Sequence, residues 1–406
     1  MPTLQYGEHA QVELHTAEES PTVVLGMPHA QPIDDLPAAI ACAINDPIDF
    51  PALRRATTPG DRVVLAIAPG LPWAAEAVAA IVDHLIEAGV QPDGISVLTS
   101  EETPADASGD PRRLLGPRLR GQIEQHIHNP KDPAKLAYLA TTESGHPIRI
   151  NHILQEADLI VPIGCLLGAG AAGYFGIHTG LYPAYADAET QSRFRSLSSL
   201  ADSGQYKQNL IDEVNEVAWL LGIAFTLQLL PADGFGVLEV LAGHADAVRL
   251  QAQQRYTAIW QQPLPTDRSG LVVAGIGGKA SVQTWSNLGR ALENARRLVE
   301  DGGAVAVCCD LGDPPGPGVQ RMVRTESRRA ALSKIRKERP IDAIPAAQIA
   351  SALDQGTVYL LSKLDPEIIE DLDMVPITSP AELVRLVSRH KSCTLLANAP
   401  FAVLDS

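Results

Sequence analysis

Asp61-Arg-Val-Val-Leu-Ala-Ile-Ala68 is followed by Pro69-Gly-Leu-Pro72 and then by Trp73-Ala-Ala-Glu-Ala-Val-Ala-Ala-Ile-Val-Asp-His-Leu-Ile-Glu-Ala-Gly89. The first run is continuously aliphatic, as a strand covered on both faces of a parallel sheet must be. Proline and glycine break it. From Trp73 the apolar residues fall at helical spacing (Ala77, Ile81, Leu85, Ala88), Gly89 is placed as a C-terminal cap, and Ile95–Leu98 restarts a strand. This is a βαβ unit. A second is read from a strand over 158–163, a glycine-rich stretch to Gly180, helical patterns from Ala188 to Leu221 and a strand over 223–230. Such alternation predicts an α/β protein built on parallel sheets.

At roughly 150 residues per domain, 406 residues predict two or three domains. The polar, proline-containing stretch Gln261–Gly270 reads as a linker. Beyond it, strands at 271–274, 304–308, 358–361 and 393–396 alternate with helical patterns at 282–300, 345–353 and 380–389. The predicted architecture is a larger N-terminal α/β domain (1–262) and a smaller, doubly wound C-terminal α/β domain (270–395) with a cleft between them. Residues 396–406 form a tail free to return to the first domain. The basic stretch Arg321–Arg339 also carries Glu326 and Glu338, and reads as a solvated helix face.

Forty-eight acidic residues against 32 Lys and Arg leave a net charge of −16, which repels phosphate backbones and anionic lipid, so no nucleic-acid partner is expected. No segment has the ~20 apolar residues of a membrane span, and Met1–Ala10 lacks the parts of a secretory signal, so no membrane partner is expected and the cytoplasm is the expected compartment. Five cysteines without C-x-x-C spacing argue for reduced thiols rather than a disulfide framework or thiolate zinc site. Nothing in the sequence indicates an oligomeric state.

Gly168-Ala-Gly-Ala-Ala-Gly173 matches G-x-G-x-x-G, but Pro183 and the neighbouring tyrosines spoil the helix that a dinucleotide site requires, so a carboxylate-binding or close-packed turn is preferred. His126 and His128 share a face if their segment is extended, and without a third ligand nearby a hydrogen-bonding role outweighs a metal site. His178, beside the glycine-rich turn, is the better functional candidate by location. Glu101-Glu102 follows the strand ending at Leu98, where sheets of this kind present catalytic groups.

Leu139-Ala-Thr-Thr-Glu-Ser-Gly-His-Pro-Ile-Arg-Ile-Asn151, followed by Glu156-Ala-Asp-Leu-Ile-Val-Pro-Ile-Gly164, resembles the nickel-pincer lactate racemase family, with its Leu-Gly-Thr-Thr-x-x-Gly-x-Pro-x-x-Ile-Asn and Glu-Ala-Asp-Leu segments. Ala172-Gly-Tyr-Phe-Gly176 up to Pro183 is similar to the family's Ala-Gly-Phe-Ser-Gly-Gly-Arg-Lys-Ser-x-x-Pro-Gly, and His126-Ile-His-Asn-Pro130 to its His-Asp-x-Asp-Pro segment. Order and spacing hold from about Asp34 to the end. The resemblance implies a two-lobed scaffold, a lysine-tethered nickel pincer completed by a histidine, and hydride exchange at C2 of a 2-hydroxy acid.

Carried over position by position, the resemblance implies that the cofactor groups are replaced. The tethering lysine falls at Thr179, one pincer-site histidine at Ala169 and the nickel-binding histidine at Arg195. Thr179 has no amine, and a guanidinium offers a metal no lone pair. A base histidine aligns near Glu102, Asp-His-Thr-Arg-Pro is here Ala68-Pro-Gly-Leu-Pro72, the substrate glutamine is Gln283, and Arg290 stands where a lysine is frequent. The expectation is therefore no nickel pincer and no metal, with Glu102 and His178 as catalytic candidates. Arg195, Gln283, Arg290, Thr179 and Gly176 are the expected substrate contacts. A divergent racemase or epimerase acting on a small 2-hydroxy acid or sugar acid competes with an inactive homologue binding a small carboxylate. A nucleotide-linked enzyme ranks third.

Overall fold

Val63–Ile67 is buried at all five positions, because it lies inside a six-stranded sheet with helices on its faces. The computed structural model describes residues 2–14, 22–28, 30–100, 109–200, 204–232, 234–325 and 327–405. The sheet runs Val237–His244, Phe225–Pro231, Leu159–Cys165, Val63–Ile67, Ile95–Thr99, Glu124–Ile127, and only the pairing of Phe225–Pro231 with Val237–His244 is antiparallel. The helix after the quoted strand spans Ala74–Glu87 and ends as its sequence predicts. Gly89, at φ +97°, donates to the Ile86 carbonyl (2.9 Å) while Val90 donates to that of Leu85 (3.0 Å), the paired bonds of a left-handed cap.

Strand order in this sheet reverses between Val63–Ile67 and Leu159–Cys165. The chain leaves the first strand toward Ile95–Thr99 and Glu124–Ile127, then returns to the other side. The connections therefore diverge at the carboxyl ends of these two strands and leave a crevice, the usual ligand position in an open α/β sheet.

The second sheet is wholly parallel, in the order Val375–Ile377, Thr357–Leu361, Val299–Cys308, Ser269–Gly275, Cys393–Leu396, Thr22–Leu25. Thr22–Leu25, placed by sequence position with the first domain, is an edge strand of this sheet. Gln261–Pro263, read as linker, pairs in parallel with Val403–Asp405. Tyr256 and Phe401 flank the fully buried Trp260 at ring separations of 6.3 and 5.9 Å, within an apolar core that runs from Leu230 in one lobe to Val272 and Trp285 in the other.

A buried ion pair fixes the helix that approaches the crevice. Arg193 forks onto Glu213, with Nη1 2.5 Å from Oε2, and the Tyr182 hydroxyl donates to Oε1 of the same carboxylate at 2.6 Å. This clamps Ala188–Phe194 to Gln205–Leu220. Burial, followed by that carboxylate, raises the Tyr182 pKa. Glu213→Ala would strand the guanidinium, so a loss of about 3–5 kcal/mol is expected in urea unfolding, with an unchanged m-value.

Candidate functional site

The crevice opens into a cleft of about 510 Å³ whose wall includes Ala68–Gly70 and Gly164-Cys165, from the two strand ends at the switch point, and Thr284, Ser286, Asn287 and Arg290 from the second lobe. Close packing explains Gly164 on the first wall and Gly168 beyond it. A Cβ at Gly164 would lie 2.6 Å from Oε1 of Gln228, and one at Gly168 would lie 2.9 Å from Val403. No helix opens at Gly168–Gly173, since the next one starts at Ala188, so the fingerprint lacks the helix terminus that would hold a pyrophosphate.

The two charged residues on the described walls are both arginines, one from each lobe. Arg290 lies on the helix Trp285–Ala295, and its Nη1 donates to Asn287 Oδ1 at 3.0 Å. Asn287 is itself held, its Nδ2 donating to the Val282 carbonyl (2.7 Å) and its backbone N–H to the Thr284 cap (3.2 Å). Burial lowers the Arg290 pKa. Cys165 and Tyr256 lie beside it, and burial pushes the thiol up to about 12 and the phenol well above its ordinary value. Both are uncharged near neutral pH, and Arg290 makes no ion pair among the described residues. Arg195, at the end of Ala188–Phe194, donates from Nη2 to Gln191 Oε1 at 2.9 Å, and Gln191 is anchored through its Nε2 to the Ala184 and Ala186 carbonyls.

Of the remaining residues expected in the site, Thr179 and Gly176 line the cleft. The Thr179 hydroxyl donates to the Gly176 carbonyl (2.7 Å) and accepts from the Phe175 N–H (2.8 Å), so it closes a turn that needs glycine at φ +101°. Gln283 is not brought to the wall. Its Nε2 donates to the Ile276 and Gly278 carbonyls and its Oε1 accepts from the Asp310 N–H at 2.8 Å, which uses both ends of the amide on loop backbone. His178 is also absent from the wall. It is 4% exposed, its Nδ1 has no hydrogen-bond partner among the described residues, and the charges that act on it belong to Asp246 and Arg249. Glu102 lies outside the described residues.

His128, 1% exposed, contributes to the wall with both nitrogens engaged. Nε2 donates to the Ala186 carbonyl (2.9 Å) and Nδ1 accepts from Asn151 (3.2 Å), while His126 lies 3.6 Å from Glu124. Hydrogen bonding, the reading preferred from sequence, is what the His128 ring does, whereas His126 makes only the longer contact with Glu124 among the described residues. Among the described residues no group of three or more His, Cys, Asp or Glu could hold a metal ion. Ser100 was missed from the sequence. It follows the strand Ile95–Thr99, lines the cleft at 6% exposure, and its hydroxyl has no partner among the described residues.

Residues 6–204 match the model of the lactate racemase N-terminal domain. Over that span, just under half of its length, the chain is lactate-racemase-like. A curated relative, lactate racemase of Thermoanaerobacterium thermosaccharolyticum, is 20% identical over 273 residues, which span 64% of this chain and 63% of the relative, just under two thirds of its length. The solved lactate racemase apoprotein of that organism superposes with a TM-score of 0.80 at 14% identity, with all of both chains covered. A crystal structure of a Thermotoga maritima protein gives 0.64 at 13% identity, covering 91% of this chain and 97% of the other. The two-domain racemase fold is therefore present along the whole chain.

Burial lowers the His178 pKa to about 4, with Asp246 opposing and Arg249 adding to the shift. The unfolded chain gains a proton at the ordinary imidazole value of ~6.5, whereas the folded one does so only near pH 4. The stability held by the neutral ring is thus complete above pH 6.5 and is lost as pH falls to about 4. His178→Leu should remove up to about 3 kcal/mol of that acid dependence in urea unfolding.

Proposed function

We propose that the interlobe cleft binds a small 2-hydroxy acid or sugar acid, and that the chain acts there as a racemase- or epimerase-type isomerase without a lysine-tethered nickel pincer. Arg290 carries this reading. A guanidinium withdrawn from water and held by a neutral amide beside an uncharged thiol and phenol is poorly compensated, and an incoming carboxylate supplies the missing charge. The described wall does not fit the pincer group: it has no lysine, Thr179 is spent on its own turn, and Arg195 stands at the aligned position of the nickel-binding histidine. Lys207, buried nearby, donates to the Ala169 carbonyl at 3.4 Å and is not part of the wall.

In the isomerase reading Glu102, two residues beyond Ser100, removes the proton from C2 of the bound acid. Charge then builds on the carboxylate oxygens as the enolate forms, which is where a guanidinium in a low-dielectric cleft stabilises most. A proton delivered by solvent water to the opposite face yields the other stereoisomer, and Glu102 returns its proton to solvent. One observation favours the alternative of a binding protein: His128, the imidazole on the described wall, has both nitrogens occupied.

Enantiopure lactate and glycerate, followed by optical rotation, divide the two readings, with Glu102→Gln as the arm that tests the base. Loss of rotation change in that variant is expected. Binding without any change of rotation would favour the binding role. Arg290→Met is expected to weaken lactate binding by about 2 kcal/mol, roughly 30-fold in Kd by calorimetry. The same variant should leave the apo melting temperature unchanged or raised, because it deletes a partly buried charge that has no ion pair among the described residues. Unaltered affinity would remove Arg290 from the site.

A further inference from the structure

We infer that the acid held in the cleft carries a hydrocarbon side chain about the size of an isobutyl group, seated on Ile341, Ile344 and Leu167. This rests on the carboxylate reading of Arg290 and decides between the two acid classes proposed for it, against the sugar acid. Most polar side chains of the described wall are engaged with the protein itself. Thr179 closes its own turn, His128 has both nitrogens engaged, and Gln191 and Asn287 each join the backbone to an arginine. Gln228 donates to Thr226 Oγ1 (2.9 Å) and to the Ile177 carbonyl (3.3 Å). Ser281 and Ser286 are exposed, where water serves a hydroxyl as well as they do. A polyhydroxylated ligand would thus exchange water for unmade hydrogen bonds. The buried Ser100 hydroxyl, without a partner among the described residues, matches the single hydroxyl of a simple 2-hydroxy acid.

The apolar side chains are placed the other way. Ile341 lines the cleft at 49% exposure, and Ile344, three residues on, lines it half-buried. Ile344 stands in the first turn of the helix Ala343–Gln355, next to Pro345. A Cβ at Gly289 would lie 3.0 Å from Pro345 Cα, so this helix is pressed against Trp285–Ala295 at the residue before Arg290. The cation and the isoleucine therefore flank one helix contact. From the first lobe Gly173, at φ +76°, faces the same isoleucine: a Cβ there would lie 3.7 Å from Ile344 Cδ1. The glycine-rich turn thus meets an aliphatic side chain, and Leu167, half-buried just before it, also lines the cleft. Only a hydrocarbon group removes these branched walls from water without stranding a polar atom of its own. At about 510 Å³ the cleft lies within the ~300–1,000 Å³ range of sites for ligands well above three carbons.

Calorimetry with lactate, gluconate and 2-hydroxyisocaproate tests this, the last two having equal numbers of carbons and opposite polarity. At about fourfold per buried methylene, 2-hydroxyisocaproate should bind at least tenfold tighter than lactate. Its heat-capacity change on binding should be the more negative of the two, as apolar burial requires. Gluconate should bind no tighter than lactate. Ile341→Ser, at a side chain half in water, should lower the ratio of 2-hydroxyisocaproate to lactate affinity at least twofold. Gluconate as tight as 2-hydroxyisocaproate, or 2-hydroxyisocaproate no tighter than lactate, would overturn the hydrocarbon side chain while leaving the Arg290 reading intact. An unaltered ratio in Ile341→Ser would overturn its seat on the isoleucines. Failure of all three acids to bind would overturn both readings.

Discussion

Two sheets can share a working cleft only if the angle between them is fixed, and here a buried aromatic stack fixes it. Trp260 ends the last helix of the first lobe, with Tyr256 on one side and Phe401 from the chain's tail on the other. Each ring is tied to backbone: Trp260 Nε1 donates to the Pro231 carbonyl at 3.0 Å, and the Tyr256 hydroxyl to that of Phe401 at 2.8 Å. Asn294, from the Arg290 helix, holds the same tail through the Ala399 and Ala402 carbonyls. Phe401 also lines the cleft, so the joint and the site are built from one segment.

The cleft of this lactate-racemase-like scaffold carries two guanidinium groups on its described wall. Thiol and phenol stay protonated because burial disfavours their anions, which leaves the guanidinium groups as the dominant fixed charges on the described wall. The sheet topology places the crevice at the reversal of strand order, and what the crevice holds depends on side chains that extend into it.

Local signals made much of this legible. The continuous aliphatic run at Val63–Ile67, the period of the following helix and the cap at Gly89 each depend on neighbours a few residues away, and each stands as read. Thr22–Leu25 depends on a partner far off in sequence, Cys393–Leu396, and no local pattern fixes such a pairing. The site divides along the same line. Arg290 and Arg195 reach the cleft because helices of known period carry them. His178, two residues past Gly176, and Gln283, which closes the short turn Ala280–Val282, point according to loop geometry that spacing does not encode. The Ser100 hydroxyl gave no signal, since a lone serine after a strand is common.

The excess of acidic residues outside the cleft has a kinetic corollary. An anion approaching this protein must cross a repulsive outer field before it meets the arginines. Dissolved salt screens that far field within a Debye length of ~8–10 Å near physiological ionic strength, while the desolvated contacts inside are screened much less. Association of an acidic ligand therefore quickens as ionic strength rises, the reverse of an electrostatically steered encounter, and selectivity resides in the pocket rather than in the approach.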